Sequence, residues 1–141
     1  MEGKDIMTLP VTAFVAAICA LLLLATAIDT VRQRLRLSAA FGDHGDAKLI
    51  SASRSHGNLA EYAPITIILL GLLESARANH MGLLVIGAIF LIGRVAHIVG
   101  LYTPSPPGKA PLGRQIGVVA TFGTLLALGG WTLWMLATVN L

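Results

Sequence analysis

The chain has 141 residues, of which 55% are hydrophobic and only 12% charged, against about 25% charged in a soluble domain. Its net charge of +3 comes from basic residues grouped between apolar runs, a topology signal and not a nucleic-acid footprint. One small membrane domain over residues 1–141 accounts for the whole chain, with no internal repeat and no low-complexity tract.

The first apolar run, from Leu9 to Ile28, is close to the ~20 residues that a hydrocarbon core of ~30 Å requires. Ala25-Thr26-Ala27 resembles a signal cleavage site, but the stretch before the run holds Glu2, Lys4 and Asp5 instead of a basic cluster. It is therefore read as a retained span. Ala13 and Ala17, like Ala16 and Ala20, put small residues four apart, a spacing that lets helices approach closely in lipid and suits oligomer contacts. Cys19, the one cysteine, sits in mid-span, where a small buried hydrophobe is the default.

A long basic connection from about Asp29 to Ile50 follows, turn-rich at Phe41-Gly42-Asp43-His44-Gly45-Asp46. The second span covers about 50–75, with its apolar centre at Leu59 to Leu73, and Pro64 inside it leaves the carbonyl of Ala60 without its usual partner. The third span covers about 81–102 and the fourth about 115–139. Between them the prolines of Thr103-Pro104-Ser105-Pro106-Pro107-Gly108 break the helix. Trp131 and Trp134 read as interface anchors near the end of the last span. The expectation is an all-α integral membrane protein, a four-helix bundle. Arg32, Arg34, Arg36, Lys48 and Arg54 stand in the first connection, Arg77 alone in the second, and Lys109 with Arg114 in the third. This asymmetry places the first and third connections in the cytoplasm and both termini on the far side.

Polar groups at membrane depth carry the functional signal. Arg54, His56, Asn58 and Glu61 stand at the mouth of the second span, and Arg94 and His97 lie inside the third. A charged side chain in mid-membrane costs roughly 2.5 to 3.5 kcal/mol on insertion scales, so such groups face a protein interior or a wet cavity. Arg54, Asn58 and Glu61 are spaced four and three apart and share one helix stripe, as do Arg94 and His97, whereas His56 points elsewhere. At 1.5 Å per residue, Glu61 lies about 15 Å inward from Ser51 and Arg94 about 12 Å inward from Tyr102. A Glu61–Arg94 ion pair between antiparallel helices is expected. A bare ion pair needs no extra amide, imidazole or second arginine, and those donors suit a small anionic, peptide-like ligand.

The run Arg54-Ser55-His56-Gly57-Asn58-Leu59-Ala60-Glu61-Tyr62-Ala63-Pro64, followed by Arg94-Val95-Ala96-His97, resembles the paired signature of MAPEG, the membrane-associated proteins in eicosanoid and glutathione metabolism. The His-Gly-Asn and Glu-Tyr-x-Pro elements are most similar to its small bacterial branch. The resemblance implies a homotrimer of four-helix subunits in the bacterial inner membrane, binding glutathione between subunits on the cytoplasmic side. It assigns glutathione contacts to Arg54, Asn58, Glu61, Arg94 and His97. Arg32 resembles the family arginine that reaches a glutathione carboxylate, although a purely topological charge is an equal reading. Arg114, in Ala110-Pro111-Leu112-Gly113-Arg114, resembles the family's thiolate-stabilising arginine, with Lys109 as the alternative across the proline loop.

A free thiol has a pKa of about 8.5, and a nearby guanidinium favours its ionised form. The resemblance thus implies a glutathione transferase or peroxidase-like enzyme acting on small hydrophobic electrophiles from the lipid, with glutathione as co-substrate and no metal or nucleic acid. Eicosanoid-processing relatives carry tyrosines where this chain has Leu101 and Ile116-Gly117-Val118-Val119, which argues against prostaglandin or leukotriene chemistry. The other readings are a glutathione binder without catalysis, a proton-coupled transporter using Glu61, and a purely structural membrane subunit.

Overall fold

The computed structural model describes residues 7–106 and 108–140; Glu2, Lys4, Asp5 and Pro107 lie outside them. The described residues form four long helices, α1 (Pro10–Leu37), α2 (Ala47–Ser75), α3 (His80–Tyr102) and α4 (Leu112–Met135), and α4 ends in a π-helical turn, Leu136–Asn140. α1, α3 and α4 are long and apolar enough to cross a membrane. α2, with 29 residues, is as long as these but carries Lys48, Arg54, Glu61 and Glu74. It packs against all three of the others.

The first connection is shorter than its charge suggested. α1 continues nine residues beyond Ile28 and ends at Leu37, where Ser38 turns left-handed and its amide closes on Arg34 and Leu35 carbonyls. Arg32, Arg34 and Arg36 are therefore helical. No proline or glycine interrupts this stretch, and basic side chains in a last turn suit the carbonyl end of a helix. Asp46 caps α2, its carboxylate accepting from the Leu49 amide at 2.9 Å and from Arg36 at 2.6 Å. α2 runs through Pro64 to Ser75 as one helix.

At the opposite end of the bundle a second cap ties distant parts of the chain together. Leu9 offers α1 no capping side chain. Glu74, at the end of α2, instead accepts from the backbone amides of Val11 and Thr12 at 3.0 and 2.8 Å. His80 lies 3.8 Å from the same carboxylate.

The core between these ends is apolar: Val15 and Cys19 of α1, Leu59 and Leu70 of α2, Leu83 and Phe90 of α3 and Leu128 of α4 are buried. Trp131 packs on this core, whereas Trp134 is exposed. The closest helix approach is between α3 and α4. A Cβ on Gly100 would sit 2.2 Å from the Arg114 amide nitrogen, and one on Gly117 would sit 2.3 Å from the His97 Cβ. Bare backbone at these positions is what lets the two helices touch.

Candidate functional site

Three helices wall a cavity of about 410 Å³ at the end of the bundle that carries the first and third connections. α2 contributes Ile50, Ser53, Arg54, Gly57, Asn58 and Glu61, the stripe that the spacing of four and three defines. α3 contributes His97 and Leu101, and α4 contributes Arg114 from its first turn. Arg114 reaches the cavity because Gly113 and Gly117 seat α4 directly on α3; a Cβ on Gly113 would come within 2.7 Å of the Ala96 carbonyl oxygen.

Arg54, Asn58, Glu61, His97 and Arg114 therefore share one cavity. Glu61 and the two arginines are exposed to it, Asn58 is half-buried and His97 is 5% exposed. Lys109 is exposed in the connecting segment and does not line the cavity. Arg32 is exposed on α1 and is likewise absent from these walls. His56 turns to the α1 side, with Nδ1 3.2 Å from the Thr26 hydroxyl, as its helical position suggested. Tyr102 is tied to α1, its hydroxyl donating to Asp29.

The expected Glu61–Arg94 ion pair is absent. Among the described residues, Arg36 pairs with Asp46, His80 lies 3.8 Å from Glu74, and Glu61 makes no ion pair. Arg94 is 2% exposed and stands behind the cavity wall. Its Nη1 donates to Asn58 Oδ1 at 2.5 Å, and its Nη2 donates to the Gly117 carbonyl at 2.9 Å and to the Thr121 hydroxyl. The rings of Tyr62 and Phe90 flank the guanidinium at 5.8 and 5.7 Å from their centroids. Antiparallel helices do bring α2 and α3 polar groups to equal depth, but Arg94 meets Asn58 and not Glu61. Asn58, one turn nearer the helix start than Glu61, faces Arg94, while Glu61 faces the cavity.

Thr121 and the Gly117 carbonyl were not singled out beforehand, and neither was Glu74. The available signal was the spacing Gly113-xxx-Gly117-xxx-Thr121, a small-residue stripe with a hydroxyl at the depth of Arg94.

A family model described as the MAPEG family matches residues 12–134. The inner membrane protein YecN of Escherichia coli strain K12 is 36% identical over 124 residues, covering 88% of this chain and 91% of that protein. YecN of Escherichia coli O6:H1 strain CFT073 matches to the same extent. No solved structure gives a significant match. With the model spanning all four helices, and with a relative of nearly equal length, the chain belongs to the MAPEG family.

Proposed function

We propose that this protein is a membrane glutathione transferase, conjugating glutathione to small hydrophobic electrophiles that arrive through the lipid. The observation that carries the reading is the convergence of two guanidinium groups, one carboxylate, one amide and one imidazole on a single cavity. Its volume falls within the range of small-molecule sites, roughly 300–1,000 Å³. Glutathione is a fitting complement, with a carboxylate for Arg54, a thiolate for Arg114, an ammonium for Glu61, and peptide groups for Asn58 and His97.

Arg114 lines the cavity and Lys109 does not, so the guanidinium that favours the thiolate is assigned to Arg114. The thiol gives up its proton to solvent, the thiolate sulfur attacks the electrophile's carbon, a C–S bond forms, and the leaving group departs with the electron pair. The gain comes from proximity and thiol ionisation. Leu101 occupies the cavity wall, which leaves no tyrosine hydroxyl there to share the task. The proposal includes a homotrimer and a cytoplasmic cavity mouth, the latter supported by the basic excess of the first and third connections.

Calorimetric titration of the purified protein in detergent tests the reading. Saturable glutathione binding is expected. Arg54→Leu should weaken it, whereas Arg114→Leu should retain binding but lose thiolate absorbance near neutral pH. Absence of binding to the parent protein would end this reading. Unchanged thiolate absorbance in Arg114→Leu would end the activation mechanism.

A further inference from the structure

We propose that Arg94 is a positioning residue: it holds the Asn58 amide with its NH2 group, and not its carbonyl, turned to the cavity. That wall then selects a hydrogen-bond acceptor on the ligand, a carboxylate or a peptide carbonyl. The choice of glutathione as probe rests on the function proposed above; the orientation of the amide does not.

A guanidinium has donors only, and an amide side chain has one acceptor oxygen and one donor nitrogen. Arg94 Nη1 is 2.5 Å from Asn58 Oδ1, and turning the amide over would set donor against donor. The assignment of oxygen and nitrogen at Asn58 therefore follows from the chemistry of its neighbour.

Arg94 cannot readily move to accommodate a flipped amide. Its Nη2 is held by the Gly117 carbonyl and by Thr121, whose own hydroxyl donates to that carbonyl at 2.8 Å and so leaves its oxygen to accept from the guanidinium. The rings of Tyr62 and Phe90 also lie against the guanidinium. Among the described residues no carboxylate pairs with Arg94 and compete for Nη1. A rigid relay thus runs from the α4 backbone through Arg94 to Asn58. At its end, Asn58 lines the cavity, and none of the described residues accepts from its NH2 group. Those unused donors are the part of Asn58 left to meet a ligand.

Asn58→Asp separates recognition from architecture. A carboxylate still accepts from Arg94, with the added strength of a charged pair, so this variant should melt at or above the parent temperature. It replaces a donor at the cavity by an acceptor, so glutathione affinity should fall by about tenfold or more. Arg94→Lys keeps a donor for Asn58 Oδ1 and should hold affinity within about threefold while melting lower. Adding Asn58→Asp to Arg94→Met should lower the melting temperature further, because the carboxylate then has no buried donor. If Arg94→Met does not fold, the first two variants carry the test.

A role confined to stability would move affinity and melting together, and that pattern overturns the proposal. So does Asn58→Asp binding glutathione as tightly as the parent, or melting below it. If the parent binds no glutathione, the functional reading fails, and the melting comparison still decides the amide orientation.

Discussion

Gly100→Ala should part α3 from α4, and the structure sets the scale of the damage. The new Cβ would stand 2.2 Å from the Arg114 amide nitrogen and 2.7 Å from the Gly113 carbonyl carbon, against ordinary contacts that begin near 3.4 Å. The obstacle is backbone, which no rotamer change relieves, so the helices must separate by about 1 Å. Overpacking typically costs about 1–3 kcal/mol, and a backbone obstacle belongs at the upper end. The substitution also returns about 1 kcal/mol of helix propensity. A net loss of about 2 kcal/mol corresponds to a fall of roughly 4–8 °C in melting temperature for a chain of this size. Gly123→Ala is the control, since a Cβ there meets nothing within 4 Å. Thermal unfolding of both variants in the same detergent measures the difference. The same separation would displace Arg114 from the cavity wall, so Gly100→Ala should also lose thiolate absorbance with bound glutathione. Equal melting of the two variants would refute the close-packing argument.

Three further outcomes are expected. Glu74→Leu removes the acceptor for two α1 amides and should cost about 1–3 kcal/mol in unfolding experiments, with Glu74→Gln recovering part of that because it keeps one acceptor oxygen. Arg36, and next the Leu49 amide, hold the Asp46 carboxyl below its ordinary range. A depressed folded-state pKa means a contribution present above the unfolded value of about 3.9 and lost as pH falls through the folded one. Arg36→Leu should therefore flatten the acid limb of a melting-temperature profile. Gly45→Cys in a Cys19→Ala background should resist impermeant thiol reagents in intact cells, and labelling without permeabilisation would reverse the proposed orientation.

The helices, their order and most of the site stripe follow from the sequence by itself. A continuous apolar run of about 20 residues satisfies its backbone within its own segment in lipid only as a helix. A spacing of four and three puts Arg54, Asn58 and Glu61 on one face whatever the helix packs against. Local pattern also points His56 away from that face, and it lies against Thr26. Composition misled only where polarity and helicity part company: Arg32, Arg34 and Arg36 read as loop because they are charged, yet α1 carries all three.

Partners across helices were decided by tertiary structure alone. Depth along two antiparallel helices fixes which residues are level but not their rotation about each axis, so it pointed to Glu61 as the partner of Arg94, whereas packing chose Asn58. That Arg114 lines the cavity and Lys109 does not depends on the seating of α4 on α3 at Gly113 and Gly117, a close approach that spacing across a proline loop does not reveal. Glu74 reaches α1 from 63 residues away. A helix terminus without its own cap shows in sequence only as a missing residue, and the group that supplies the cap is determined by which helix end the bundle brings beside it.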